Sequence, residues 1–253
     1  MKGVVLAGGL GTRLYPLTKV TNKHLLPVAS KPMIYYPIQS LVDAKINDLL
    51  IVTGGKSAGD FLRLLGNGNG FGLKRLNYTY QEGHGGIAAA LALAEDFVDG
   101  DKMIVILGDN IIGCSISESA KRFSEQDRGA RILLKEVPDP QRFGVAEINE
   151  DKIIGIVEKP EHPKTNYAVI GVYMYPPDVF DIIRNIEPSS RDELEITDVN
   201  NAYIERDALE FDFLPKYWTD AGTFYSIMRA SLLVMSKEDR QKLLSEFAIN
   251  AYD

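Results

Sequence analysis

An arginine and a lysine ten positions apart frame a glycine-rich turn near the start of the chain. The segment runs Leu6-Ala7-Gly8-Gly9-Leu10-Gly11-Thr12-Arg13, followed by Asn22-Lys23-His24-Leu25-Leu26-Pro27-Val28. Glycines let successive backbone N–H groups curve around an anion. Two fixed cations close behind suit more than one phosphate. The pattern is neither of the two familiar phosphate loops. After Gly9-Leu10-Gly11 a dinucleotide fingerprint needs glycine or alanine where Leu14 stands, and Gly11-Thr12-Arg13 does not supply the Gly-Lys-Ser/Thr of a nucleoside-triphosphatase loop. Glycines alone would also fit an ordinary strand-to-helix connection. With Arg13 and Lys23 they read as a cradle for a phosphorylated ligand.

Two carboxylates lie where a hard cation could join such a ligand. Met103-Ile104-Val105-Ile106-Leu107 is a continuous apolar run that ends in Gly108-Asp109-Asn110. Ligands of open α/β sheets sit beyond the carboxyl ends of strands, so Asp109 and Gly8 should face one crevice. Asp220, in Tyr217-Trp218-Thr219-Asp220-Ala221-Gly222-Thr223, precedes a predicted helix and could be its cap or a second metal ligand. Spacing alone does not join it to Asp109. Glu158-Lys159-Pro160 ends a predicted strand; the pair fits a solvated ion pair, or a sugar-hydroxyl acceptor beside a phosphate-binding cation. The three histidines, His24, His84 and His162, have no metal-ligand spacing, and the lone Cys114 has no activating neighbour in sequence. Nucleophilic triad chemistry is therefore not expected.

The elements that must position these residues are those of an α/β sheet. Strands are predicted at Gly3–Leu6, Asp48–Thr53, Asn77–Gln81 and Met103–Leu107, with helices near Met33–Ala44, Gly59–Leu65 and Gly86–Phe97 between them and a loop at Gly66–Gly70. From about Ala130 strands dominate: Ala130–Val137, Gly144–Ile148, Lys152–Val157 and Ala168–Tyr175, expected as hairpins or an antiparallel extension. Helices return at Pro177–Asn185, Glu195–Arg206 and Thr223–Leu244. No linker or repeat divides the chain, which predicts one domain over residues 1–253. Its α/β half covers about 1–128, and a β-rich half, about 129–253, supplies the other wall of a cleft.

Composition bounds the partners. A formal net charge of −7 disfavours a nucleic-acid backbone, so the cations of the cradle are local and suit a small anion. One cysteine excludes an internal disulfide, no signal-peptide pattern opens the chain, and no apolar run nears the roughly 20 residues that span a bilayer. The expectation is a cytoplasmic protein with no membrane partner.

Taken in order along nearly the whole chain, these motifs resemble the sugar-phosphate nucleotidyltransferases, and among them the short glucose-1-phosphate thymidylyltransferases. The match rests on Leu6–Leu14, Asn22–Val28, Leu107–Asn110, Arg142-Phe143-Gly144-Val145-Ala146, Glu158-Lys159-Pro160, Glu193–Asp198 and Trp218–Thr223. The resemblance implies a three-layer α/β/α, Rossmann-like fold with a mostly parallel central sheet and a β-rich sugar-binding portion. It implies that Leu6, Gly8, Gly9, Gly11, Thr12 and Arg13 hold the nucleotide and that Gln81 and Gly86 read the pyrimidine. Lys23 would neutralise the reacting phosphates, and Asp109 and Asp220 would hold Mg²⁺. Asn110, Gly144, Glu158, Val169 and Tyr173 would surround glucose, with Lys159 on its phosphate. The catalytic set is then Arg13, Lys23, Asp109, Lys159 and Asp220.

The implied reaction is attack by glucose 1-phosphate on the α-phosphorus of dTTP, giving dTDP-glucose and pyrophosphate, in a homo-oligomer (dimer or tetramer). Alternatives keep the chemistry with UTP or another nucleotide, or with another sugar 1-phosphate. More distant ones are a nucleotide-sugar glycosyltransferase, although Asp109-Asn110-Ile111 lacks an Asp-x-Asp pair, and a non-catalytic sensor. The chain departs from the family at Ala89, where a glutamine is common, and at Glu82-Gly83-His84-Gly85, where proline is frequent. Contacts to the base are the ones these changes affect. Only 33 residues follow Asp220, against a longer C-terminal helical region that forms a regulatory nucleotide site in larger members.

Overall fold

In the computed structural model, which describes residues 1–250, the first strand sets the frame. Strand β1 (Lys2–Ala7) lies parallel to both of its neighbours, β4 (Asp48–Gly54) and β6 (Met103–Leu107), so Val4, Val5 and Ala7 are enclosed on both faces. Strands covered on both sides carry unbroken apolar runs rather than alternating ones, which is why these three read so clearly in the sequence. A two-stranded ribbon, β2 (Pro27–Val28) with β3 (Lys31–Pro32), follows the glycine-rich turn. Strand β5 (Arg75–Gln81) closes the parallel edge beside β4.

Beyond β6 the sheet changes direction. The long strand β11 (Tyr167–Tyr175) runs antiparallel to β6 and carries β8 (Ala130–Glu136) and the hairpin β9 (Gly144–Asn149)–β10 (Lys152–Glu158). Strand β12 (Leu209–Phe213) returns parallel to β8, and the nine strands form one sheet. The antiparallel extension expected after Ala130 is present, joined by one parallel return that the sequence reading lacked. Between Val169 and Tyr173 the pairing of β11 with β8 slips. There the Gly171 N–H donates to Asn110 Oδ1 at 3.1 Å instead of to a ladder partner.

Helices cover both faces. On one side α1 (Tyr35–Asp43), α2 (Ala58–Leu65) and α5 (Ser117–Glu125) bury Ile38, Leu41, Phe61 and Phe123 against Val5, Ile51, Ile104 and Ile106. On the other, α3 (Gly86–Ala92), α4 (Glu95–Val98), α6 (Val179–Asn185) and α7 (Ile196–Glu205) bury Leu91, Val98, Phe180, Ile183 and Tyr203 against Val4, Val105 and Ile132. The fold is thus the three-layer α/β/α arrangement, with a continuous core on each side of the sheet.

Two predicted helices are each two helices. Gly86–Phe97 breaks where the Ala94 N–H bonds the Leu91 carbonyl at 2.9 Å, tightening the turn before α4 starts. Thr223–Leu244 divides into α8 (Phe224–Val234) and α9 (Lys237–Asn250). Met235 is extended (φ −64°, ψ 150°), and Ser236 Oγ accepts the Asp239 N–H at 3.0 Å. A serine three residues before an aspartate is a helix-start signal inside an apparently continuous pattern. Helix α8 itself begins with a capping box between Thr223 and Ser226. The short strands β7 (Asn110–Ile112) and β13 (Trp218–Asp220) were not anticipated, and they form the junction on which the site depends.

Candidate active site

The carboxyl ends of β1 and β6 open into a cleft of about 680 Å³. Strand β1 runs into the Gly8-Gly9 turn and β6 into Gly108-Asp109, at the point where the chain leaves β1 to opposite sides of the sheet. Asn22 ties the lysine segment to this point. Its Nδ2 donates to the Ala7 carbonyl at 3.3 Å, and its Oδ1 accepts the His24 N–H at 3.0 Å and meets His24 Nδ1 at 2.7 Å. Lys23 therefore starts a short 3₁₀ turn with its side chain directed at Asp109, whose Oδ2 accepts from Nζ at 2.5 Å. Burial opposes charge on Asp109, but Lys23 beside it outweighs that and holds the carboxyl down at about 2. His24 is buried behind them; desolvation first, then Lys23, pushes it down to about 3, so its ring is neutral at physiological pH.

Asp220 reaches the same place through backbone pairing. Strand β13 runs antiparallel to β7 with Asp220 opposite Asn110, and the Ala221 N–H donates to the Asp109 carbonyl at 2.8 Å. Trp218 Nε1 donates to Asn110 Oδ1 at 2.5 Å, which fixes the Asn110 amide and lets its Nδ2 face Asp109 Oδ1 at 3.3 Å. Residues 111 positions apart in sequence thus end on one wall. Asp220 is held by Arg142, whose Nη2 donates to Oδ1 at 3.1 Å and Oδ2 at 3.2 Å while Nη1 donates to Asp139 at 2.7 Å. Gly222 brings Arg13 close as well: a Cβ there would lie 2.9 Å from Arg13 Nη2 and 3.1 Å from Asp220 Oδ2. This cradle exists only because position 222 has no side chain.

The donor set suits a small hard cation that arrives with phosphate. Among the described residues no three His, Cys, Asp or Glu side chains cluster as a self-sufficient metal cage. Two carboxylates, one from the turn between β6 and β7 and one from β13, in a cleft also lined by Arg13 and Lys23, match the habit of Mg²⁺, which takes one or two carboxylates plus substrate oxygens and water. Asp109 and Asp220 fit that role.

The β-rich half forms the opposite wall. Lys159 Nζ donates to Glu158 Oε1 at 2.7 Å, the ion pair that the bare motif suggested. Yet Glu158 also accepts from Thr197 Oγ1 at 2.8 Å, which turns it into the cleft. Gly144 lies against both: a Cβ would sit 3.3 Å from Glu158 Oε2 and from Thr197 Oγ1. Val169 and Tyr173 flank the slipped segment of β11 and line the same wall, with Asn110 between them and Asp109. Burial first, then Glu158 and Asp109, raises the Tyr173 phenol, so it stays a neutral hydroxyl.

Gln81 and the glycines around it gather at the other end. Gln81 Nε2 donates to the Gly86 carbonyl at 3.3 Å, and its Oε1 lies against Gly8, where a Cβ would come within 2.6 Å. Gly86 has φ +86°, and a Cβ on it would come within 2.6 Å of the Leu194 carbonyl oxygen. That contact and two backbone bonds, Leu194 N–H to Gly85 O at 2.8 Å and Ala88 N–H to Leu194 O at 3.1 Å, staple the Gly85-Gly86 loop to the segment around Leu194. Leu6, Gly9 and Thr12 line the cleft, as do Gly83, His84 and Gly85 from the loop where the chain departs from the resembling family. Gly11 stands behind the wall, in the left-handed conformation (φ +65°) against the Lys23 stem.

Several residues of this cleft were missed from the sequence. Arg142 was visible only as part of a motif, without a role. Arg191 donates to Glu195 at 2.8 Å, lies 3.6 Å from Glu158 Oε1 and puts a second cation near Lys159. Its signal was a lone basic residue leading an acidic run, Arg191-Asp192-Glu193-Leu194-Glu195. Thr197 and Gly222 likewise stood only inside motifs, Glu193–Asp198 and Trp218–Thr223, without a role, since each acts through a neighbour that only the fold supplies.

Comparison with known proteins points to one family. A family profile described as nucleotidyl transferase matches residues 2–237. Glucose-1-phosphate thymidylyltransferase of Neisseria meningitidis serogroup A is 41% identical over 247 residues, covering 96% of this chain and 85% of the relative. A Bacillus anthracis structure, described as a candidate glucose-1-phosphate thymidylyltransferase in complex with sucrose, superposes with a TM-score of 0.89 at 52% identity, covering 92% of this chain and 94% of the other. UDP-glucose pyrophosphorylase complexed with UDP-glucose superposes with a TM-score of 0.79 at 25% identity, covering 91% and 96%.

Proposed function

The chain belongs to the nucleotidyl transferase family, and from that premise we propose that it transfers a thymidylyl group from dTTP to glucose 1-phosphate, giving dTDP-glucose and pyrophosphate. The observation that carries this is the register of β13 on β7. It brings Asp220 to the cleft that Asp109 lines, together with Arg13, Lys23, Lys159 and Arg191, the first two cations serving the nucleotide and the last two the sugar phosphate in this reading.

The sugar-phosphate oxygen is the nucleophile. It forms a bond to the α-phosphorus as the bond to the bridging oxygen breaks, and pyrophosphate leaves with that electron pair. The nucleophile is already an anion at neutral pH, so no general base is needed. His24, neutral and facing Asn22, would not serve as one. The obstacle is repulsion between two anions. Arg13 grips the triphosphate, Lys23 stands at the reacting phosphates, and Lys159 with Arg191 draws in the sugar phosphate, so positive charge meets each group where negative charge builds. Gln81 and the Gly86 backbone hold the base; Glu158, Asn110 and Tyr173 hold the sugar, which fixes both substrates in line. When bound, Mg²⁺ on Asp109 and Asp220 would supply further charge to the triphosphate oxygens.

Tyr225, Met228 and Phe224 leave exposed apolar surface on α8, which supports a homo-oligomer, dimer or tetramer. No helix among the described residues is long and apolar enough to cross a membrane; the cytoplasm is the compartment this chemistry calls for.

A second reading substitutes UTP, favoured by the likeness to UDP-glucose pyrophosphorylase. Initial rates of pyrophosphate release with dTTP, UTP, CTP and ATP, each against glucose 1-phosphate and other hexose 1-phosphates, separate the two. The highest kcat/KM is expected for dTTP with glucose 1-phosphate. A preference for UTP would replace the base assignment, and release that needs no sugar phosphate would overturn transfer altogether.

A further inference from the structure

Arg142 sits at the end of a short 3₁₀ turn, Pro140–Arg142, and bridges two carboxylates, Asp139 at 2.7 Å and both oxygens of Asp220 at 3.1 and 3.2 Å. Its place is set by the strand that carries Asp220. The guanidinium carbon lies 4.9 Å from the Phe143 ring centroid, Phe143 packs edge-on to Trp218 at 5.0 Å, and Trp218 begins β13. A guanidinium on both oxygens of a carboxylate and a cation ligated by them exclude each other. Lys23 occupies one oxygen of Asp109, Oδ2, at 2.5 Å. Asp109 is paired with Lys23 and Asp220 with Arg142, so each candidate ligand already faces a cation. A free divalent cation finds no net negative charge there. A triphosphate brings several negative charges and gives Arg142 and Lys23 new acceptors.

We propose that Arg142 is a positioning residue that blocks Asp220 against free divalent cations and yields it when nucleotide arrives, so that metal and triphosphate are taken up together. Arg142 holds Asp220 turned into the cleft, and triphosphate binding draws the guanidinium off. The coupling is reciprocal: metal strengthens nucleotide binding by the factor by which nucleotide strengthens metal binding. The proposal rests on the assignment of Asp220 as a metal ligand.

The test uses Mn²⁺ as the probe, its free concentration followed by electron paramagnetic resonance, with full-length protein and no nucleotide. Arg142→Gln should bind Mn²⁺ about tenfold more tightly than wild type, as loss of an adjacent like charge predicts. Asp220→Asn added to Arg142→Gln should abolish that gain. Calorimetry with dTTP should show its dependence on Mg²⁺ shrinking by the same factor in Arg142→Gln. Arg142→Lys, whose single nitrogen cannot reach Asp139 and both Asp220 oxygens together, should fall between and decides the matter if Arg142→Gln melts early. Mn²⁺ affinity unchanged or weaker in the folded variants overturns the proposal. A gain that survives Asp220→Asn instead overturns Asp220 as the metal ligand.

Discussion

Lys23 and Asp109 form an ion pair at 2.5 Å between segments 86 residues apart, each side chain less than one-sixth exposed. One comes from the turn after the glycine-rich loop, the other from the end of β6, and the pair marks the centre of the cleft. Removing one partner strands the other in a poorly solvated place, which costs more than the pair itself contributes. Asp109→Asn or Lys23→Ala should therefore lower kcat by about 10²-fold or more, the scale of losing a charge-stabilising group. Circular dichroism should show the same fold. Near-normal turnover in either variant would remove that residue from the chemistry.

Acid should destabilise the protein through His24 before it reaches Asp109. The folded His24 is held at about 3 against 6.5 for a free imidazole, so the unfolded chain binds a proton that the folded one refuses. Stability from this group is complete above pH 6.5 and declines as pH falls toward 3, by at most about 1.4 kcal/mol per pH unit. Asp109 is depressed from 3.8 to about 2, so its contribution is present above pH 3.8 and is lost as pH falls through about 2. Denaturant midpoints from pH 7 to pH 4 should fall more steeply for wild type than for His24→Asn. Equal slopes would mean that His24 does not carry the effect.

Gly222→Ala tests the cradle that joins Arg13 to Asp220. The added methyl would lie 2.9 Å from a terminal guanidinium nitrogen, a flexible end that can move aside. The melting temperature should stay within a few degrees while KM for the nucleotide rises about tenfold, roughly 1.4 kcal/mol of lost binding. An unchanged KM would place the triphosphate away from Arg13.

Gly86→Ala should act on stability and on both substrates together. Its positive φ of +86° and a Cβ 2.6 Å from the Leu194 oxygen leave no relaxed position for a methyl. A cost of about 1–3 kcal/mol is expected for strain of this kind. Because this loop is stapled to the segment before Glu195, KM should rise for nucleotide and sugar phosphate alike. A rise confined to the nucleotide would mean that the staple does not transmit the change.

What was legible in the sequence follows physical rules about locality. Strands β1, β4 and β6 stood out because full enclosure demands unbroken apolar runs, and Arg13, Lys23 and Asp109 stood out because they flank those runs. The meeting of Asp109 with Asp220 did not. It is made by three residues of β7 on three of β13, too short for any periodicity to register. Arg142 and Arg191 were hidden for a related reason: their significance lies in which carboxylates they touch, and those partners come from distant or unremarkable positions. The break after α3 was hidden because apolar spacing continues across it, and the break after α8 because its start signal is the single residue Ser236 at the head of a polar run that reads as a solvated helix face.

Single displacement at phosphorus is the central claim, and stereochemistry reports on it directly. Purified protein, Mg²⁺, glucose 1-phosphate and dTTP carrying one sulfur at the α-phosphorus in a single configuration should yield the thio analogue of dTDP-glucose with that centre inverted. Retention would mean two displacements through a nucleotidylated side chain, and failure to form the sugar nucleotide with dTTP itself would contradict transfer between the two walls of this cleft.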